Sequence, residues 1–176
     1  MSHLNWAKFE MGTTEHRKTA AKRVTAAVVT VSTSRTIIDD ESGLWIVKAL
    51  EKEGHKVLLH RVVTDDEAAI SRVLAEALAL DPGVVLMNGG TGITPTDVTI
   101  EAVSPLFDKH LPAFSALFAQ LSFDQIDAAA VLSRATAGLI GKSLVFCMPG
   151  SKKAVKLAME GLILPEIAHF VSHARG

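Results

Sequence analysis

Val84-Val85-Leu86-Met87-Asn88-Gly89-Gly90-Thr91-Gly92 is the stretch on which the fold of this chain turns. Its first four residues make a short, uncharged run of the kind that fills a central parallel strand, buried on both faces. The run empties directly into Asn88 and a loop with three glycines in four positions, Gly89, Gly90, Thr91 and Gly92. Glycine reaches positive φ and carries no Cβ, so backbone N–H groups in such a loop can approach a ligand closely. A strand, a glycine loop and a helix start, in that order, suit a phosphate. The bare alternative is a tight strand-to-helix turn without a ligand. Two familiar phosphate loops are excluded. A P-loop ends in Gly-Lys-Ser/Thr, whereas this one continues Ile93-Thr94-Pro95-Thr96, and the third glycine of a Gly-x-Gly-x-x-Gly fingerprint is missing.

On both sides of this stretch, strands and helices alternate. Upstream, 24–32 reads as a buried strand rich in β-branched residues. Ser42 is placed to cap a helix over 43–53, with Leu44, Val47 and Leu50 on one face and a stop at Gly54. A second strand is expected over 56–63. Thr64-Asp65-Asp66-Glu67 has the form of a capping box, with Thr64 as N-cap. The helix after it carries Ile70, Val73, Leu74, Ala77 and Leu78 on an apolar stripe and is broken by Asp81-Pro82-Gly83. Downstream, a short helix is expected over 97–103, an apolar helix over 112–121 and strands over 128–133 and 143–148. Pro149-Gly150-Ser151 then turns the chain into a helix over 152–160, and a last helix starts near Pro165. This alternation implies an α/β fold with a mainly parallel sheet covered on both faces. Residues 1–22 show no period and read as a flexible N-terminal arm, leaving 23–176 as a single domain.

Composition narrows the function. The 176 residues carry 18 Lys and Arg against 19 Asp and Glu. That balance argues against broad binding to nucleic acid or to a membrane surface, which calls for a basic excess. The single cysteine, Cys147, sits in an apolar run and reads as a core side chain rather than a nucleophile. One cysteine forms no internal disulfide, which fits a reducing cytoplasm. No apolar run approaches the ~20 residues that span a bilayer, and no signal-peptide core is present.

In open α/β sheets, ligands bind outside the carboxyl ends of the strands, so the candidate residues are sought there. Asp97 follows the glycine loop, and Asp66 opens the preceding helix. Two carboxylates beside a phosphate would suit Mg²⁺, although acidic residues also favour first helical turns for their own sake. Pro149, Gly150 and Ser151 form a second strand-end turn, for which phosphate binding and a plain N-cap at Ser151 are both open. Ser32, Ser133 and Arg134 close other strands on the same rim. Guanidinium binds phosphate bidentately, or Arg134 pairs structurally with an acid. His169 and His173 have i, i+4 spacing on the final helix but lack a third ligand for zinc.

The ordered set Gly89-Gly90-Thr91-Gly92 through Asp97-Val98-Thr99, Leu111-Pro112, Leu132-Ser133-Arg134-Ala135 and Met148-Pro149-Gly150-Ser151 resembles the MoaB/MogA family of molybdenum cofactor biosynthesis. Upstream, Val31-Ser32, the Asp40-x-Ser42-Gly43 turn and Asp66-Glu67 also match, and the Thr-Pro-Thr-Asp variant after the glycines is closer to the MoaB branch. The resemblance implies a three-layer α/β/α sandwich, a cytoplasmic homotrimer or homohexamer, and adenylylation of molybdopterin with Mg·ATP to give adenylyl-molybdopterin and pyrophosphate. Contact with the molybdate-inserting enzyme is implied as well. Asp66 and Asp97 become the essential carboxylates and magnesium ligands. The glycine loop becomes the phosphate holder, and Ser32, Ser133 and the Pro149–Ser151 turn line the pterin side. The chain departs from the pattern at Thr33, where Asp is common, and at Pro95-Thr96, where an Arg pair is common. Ala113 and Ser115 likewise stand for glycines. The lost arginines leave a rival reading, a non-catalytic molybdopterin carrier or scaffold. A third reading is a fold relative acting on another nucleotide.

Overall fold

A computed structural model describes residues 23–176, so the expected N-terminal arm lies outside the described residues. Six strands form one sheet: β1 (Thr25–Val31), β2 (Lys56–Val63), β3 (Val84–Asn88), β4 (Lys109–His110), β5 (Thr136–Ile140) and β6 (Ser143–Met148), in the order β2-β1-β3-β6-β5-β4. The first four strands in that order run parallel. At the far edge β5 pairs antiparallel with both β6 and β4. The order reverses at β1, whose neighbours β2 and β3 lie on opposite sides, and the carboxyl ends of β1 and β3 flank that switch point.

Helices cover both faces, as the alternation of apolar runs requires. On one face, α1 (Glu41–Lys52), α4 (Pro112–Ile126), α5 (Lys152–Ala158) and α6 (Ile167–Arg175) pack on Val28, Leu86, Phe146 and Met148. On the other, α2 (Glu67–Leu78) and α3 (Thr99–Val103) pack on Ala27, Val29, Val85 and Met87. β3 is buried at all five positions, so the uncharged run is the centre of the sheet. The architecture is the expected three-layer sandwich. Among the described residues no helix is long and apolar enough to cross a membrane.

Three local expectations are corrected. The strand expected over 128–133 is instead a 3₁₀ turn, Asp127–Leu132, and the chain enters the sheet only at Thr136. The run Asp127-Ala-Ala-Ala-Val-Leu is apolar but rich in alanine, which is a weak strand former, and Val131 is left 82% exposed. Sheet pairing belongs instead to Thr136–Ile140, where Gly138 leaves room for the ring of Phe107 to lie against the backbone. The cap of α1 is Asp40, not Ser42: Asp40 Oδ1 accepts from the Gly43 N–H at 2.9 Å, while Ser42 donates to the Gly150 carbonyl at 2.9 Å. The cap of α2 is Asp66, whose Oδ1 accepts from the Ala69 N–H at 2.8 Å, and not Thr64.

Candidate active site

The glycine loop leaves β3 at the switch point and turns sharply. Gly89 and Gly90 have φ of +95° and +61°. A Cβ on Gly89 would run into the Val31 carbonyl oxygen, so only glycine allows this crossing over the end of β1. Thr99, buried at the start of α3, clamps the turn. Its hydroxyl donates to the Gly89 carbonyl at 2.8 Å and its N–H to the Gly90 carbonyl at 2.9 Å. The Gly89 N–H is used by the Met148 carbonyl. Among the described residues nothing accepts from the N–H groups of Gly90 and Thr91, which remain available for an anion.

Two carboxylates border the loop. Asp97 folds back on it, accepting the Thr94 N–H at 2.9 Å and the Thr94 hydroxyl, and its oxygens lie against Gly92. The Thr94 hydroxyl chiefly holds the Asp97 carboxyl below the usual range against a raising effect of burial; the N–H groups of Thr94 and Gly92 and the nearby charge of Arg134 add to the lowering. Asp97 is therefore a firmly ionised group at half-buried depth. On the other side it is Asp65, not its neighbour, that touches the loop. Asp65 Oδ2 accepts the Thr33 hydroxyl at 2.7 Å, and Oδ1 lies 3.1 Å from where a Gly90 Cβ would stand. Asp66 is exposed on the rim and engages the Ala69 N–H as the α2 cap. The sequence reading singles out Asp66 as the candidate and does not offer Asp65.

Arg134 reaches the loop from the start of β5. Its Nε donates to the Thr91 carbonyl at 3.0 Å, and Nη2 donates to both oxygens of Glu101 at 2.7 and 2.9 Å. Its guanidinium is thus committed to bracing the loop against α3, which favours the structural of the two readings. Ser133 lies half-buried beside it. The second turn packs directly on the first: a Gly150 Cβ would stand 2.9 Å from the Gly89 Cα. The Gly150 carbonyl accepts from Ser42 and, at 3.3 Å, from Arg35. Ser151 caps α5 by accepting the Ala154 N–H at 3.3 Å, and Lys152 pairs with Glu41 at the surface. Ser32, half-buried at the end of β1, accepts the Ser34 N–H at 3.3 Å. The switch point thus brings together Ser32, the glycine loop, Asp97, Arg134 and Gly150, with Asp66 and Ser151 at the periphery.

Beneath the loop runs a buried polar chain that sequence reading did not find. The Asn88 amide donates to Thr30 Oγ1 at 2.8 Å, the Thr30 hydroxyl donates to Asp40 Oδ2 at 2.6 Å, and His60 Nε2 meets the same oxygen at 2.9 Å. Burial alone would push the Asp40 carboxyl up, but His60, the Thr30 hydroxyl and the Gly43 N–H together bring it below the usual range. Because Thr30 spends its proton on Asp40, it accepts from Asn88, which fixes the Asn88 amide with Oδ1 on the far side. That oxygen and the Thr91 hydroxyl are buried without a partner among the described residues. Unpaired buried polar atoms are costly, and two at one loop mark a place built for something further. The signal in the sequence was Asp40 before Ser42-Gly43; its partner His60 is remote in the chain.

Elsewhere, His169 and His173 stack edge to face with centroids 4.6 Å apart, and no group of three His, Cys, Asp or Glu able to hold a metal occurs among the described residues. Cys147 is fully buried and burial pushes its thiol up to about 12, so it is a core side chain.

Residues 27–169 match the family described as "Probable molybdopterin binding domain". The chain is 47% identical over 167 residues to the molybdenum cofactor biosynthesis protein B of Bacillus subtilis, covering 94% of this chain and 98% of the relative. It is 42% identical over 171 residues to the molybdopterin adenylyltransferase of Pyrococcus furiosus, covering 94% and 99%. Among solved structures, a molybdenum cofactor biosynthesis protein B superposes with a TM-score of 0.84 at 46% identity, over 88% of this chain and 98% of that one. The tungsten cofactor synthesizing protein MoaB from Pyrococcus furiosus does so at 0.81 and 39%, over 89% and 100%. With its switch-point loop, its flanking carboxylates and this likeness over nearly its whole length, the chain belongs to the MoaB/MogA family of molybdopterin-binding proteins of molybdenum cofactor biosynthesis.

Proposed function

We propose that this chain adenylylates molybdopterin with Mg·ATP. The observation that carries the reading is Asp97 folded onto a glycine loop whose Gly90 and Thr91 N–H groups are unspent, in a chain 42% identical to a molybdopterin adenylyltransferase. In the reaction, a phosphate oxygen of the pterin forms a bond to the α-phosphorus of ATP, and the bond to the leaving pyrophosphate breaks. No protein nucleophile is needed, so the work is positioning and charge neutralisation. The loop N–H groups hold a phosphate, and Arg134 and Thr99 keep the loop in shape. Ser32, Ser133 and the Pro149–Ser151 turn line the pterin side.

The donor set fits magnesium. Mg²⁺ takes one or two carboxylates and completes its shell with water and substrate phosphates, which suits a site without three gathered protein ligands. Asp97 is one ligand, and the second comes from the Asp65-Asp66 pair. Bound there, the ion would neutralise charge between the phosphates.

The protein works as a homo-oligomer in the cytoplasm, and the molybdate-inserting enzyme receives its product. The support for self-association is apolar surface: Leu117, Phe123, Val131 and Leu132 are at least half exposed along α4 and the turn after it.

The test is AMP transfer from Mg·ATP to purified molybdopterin by the native chain beside Asp65→Asn, Asp66→Asn and Asp97→Asn. Turnover lost on neutralising Asp97 and one of the pair supports the transferase. Tight pterin binding without transfer leaves the carrier.

A further inference from the structure

A second concavity opens beside the switch point, at the carboxyl ends of β1 and β2. It encloses about 350 Å³, and its walls include Ser32, Thr33, Arg35, His60, Arg61 and Thr64. Ser32 belongs to both spaces, so this pocket continues the glycine-loop site. No carboxylate lines it.

The cations around the two spaces are not equally free. Arg134 is committed to the Thr91 carbonyl and Glu101, Arg61 pairs with Glu76 at 3.1 Å, and Lys152 pairs with Glu41. Arg35 is different. It is half-buried, its one hydrogen bond among the described residues goes to the neutral Gly150 carbonyl at 3.3 Å, and it pairs with no carboxylate there. The acids around the pocket are engaged elsewhere. Asp39 accepts from Thr36, Asp65 accepts from Thr33, and Asp40 lies fully buried beneath His60. The exposed Asp39 carboxylate feels the charge of Arg35 only as the least of its influences, so a half-buried guanidinium with no carboxylate in hydrogen-bond reach among the described residues, held over the second turn of the site, is a poised anion receptor.

We propose that this pocket is a phosphoryl-binding subsite with Arg35 as its cation. It supplies from the β1 side the positive charge that Pro95-Thr96 does not supply on the glycine-loop side. His60, held at Nε2 by Asp40, forms a fixed wall of the pocket. The ligand class is a phosphorylated small molecule, either the pyrophosphate end of a nucleoside triphosphate or a phosphate monoester. The inference rests on the adenylyl-transfer reading only for which of these arrives.

The experiment is calorimetric titration of the full chain with inorganic pyrophosphate and with inorganic phosphate, at low and high salt. Native protein is compared with Arg35→Gln, Arg35→Lys and the remote control Arg72→Gln, with AMP transfer measured in parallel. Loss of a charge-assisted contact should weaken binding by about tenfold or more in Arg35→Gln. Arg35→Lys should recover part of it, and Arg72→Gln should match native protein. Weakening for pyrophosphate alone assigns the subsite to the nucleotide, and equal weakening for both ions assigns it to a monoester. Unchanged affinity in Arg35→Gln, an equal loss in Arg72→Gln, or a native chain that binds neither ion would each overturn the proposal. If Arg35→Gln keeps native affinity, kcat and KM while AMP transfer proceeds, the subsite is wrong and the transferase stands. If binding depends on Arg35 in a chain that transfers no AMP, the subsite stands and the transferase is wrong.

Discussion

His60 Nε2 lies 2.9 Å from Oδ2 of a fully buried Asp40, an oxygen that also accepts the Thr30 hydroxyl, and this pair ties the middle of β2 to the start of α1 beneath the glycine loop. Because the Asp40 carboxyl titrates lower in the fold than in the open chain, the folded state favours its charged form. Its contribution to stability is complete above the ordinary value of 3.8 and is lost as pH falls through the depressed one. Asp40→Asn should cost about 3–5 kcal/mol at neutral pH, because it leaves buried partners unmatched. Urea unfolding from neutrality down to about pH 2 should show the gap between native and variant narrowing in acid. A gap independent of pH would mean that Asp40 is not ionised in the fold.

Gly89 crosses the Val31 carbonyl at positive φ, where a side chain has neither conformation nor room. Gly89→Ala should lower stability by more than about 1–3 kcal/mol and abolish nucleotide binding together with it. Thermal melting beside nucleotide titration checks this. A variant with native melting would show that the loop has an alternative path.

Asp97→Asn keeps the size of the side chain and one acceptor for Thr94. AMP transfer should fall by about 10²–10³-fold, as for other groups that stabilise charge in the transition state, with little change in melting temperature. A large loss of stability with proportionate loss of activity would make Asp97 a loop brace instead.

Arg134 holds the Thr91 carbonyl and Glu101 but is not free for phosphate. Arg134→Gln should therefore loosen the loop, raising KM for nucleotide several-fold, and Glu101→Gln should do the same more weakly. Steady-state kinetics decide the point. A fall in kcat at unchanged KM would place Arg134 on the reacting phosphate.

Cys147 is fully buried, and its thiol is pushed up to about 12 by burial. It should resist alkylation in the native protein near neutral pH and react at the normal rate once unfolded. Mass spectrometry after brief exposure to iodoacetamide reads this directly. Labelling in the folded state would mean that the end of β6 opens.

The central strand, the loop that follows it, the alternation of strands and helices and hence the layered class are legible in the chain alone, because these depend on local composition and period. So are the core role of Cys147 and, through an ordered series of motifs, the family. What the sequence could not decide depends on contacts between distant segments. The 127–132 run and Thr136–Ile140 are both apolar enough for a strand, and only pairing with β6 selects the second. Asp65 and Asp66 are adjacent and alike in the sequence. The turn into α2 gives one to the helix as its cap and the other to the loop. Arg134 and Arg35 are both loop arginines beside the switch point. The position of Glu101 consumes the first, while the second makes its hydrogen bond among the described residues to the neutral Gly150 carbonyl and to no carboxylate. The Asn88–Thr30–Asp40–His60 chain joins residues up to 58 positions apart, because the parallel sheet brings the ends of three strands side by side. Residue type sets what a side chain can do, and the tertiary fold decides which of those options is already spent.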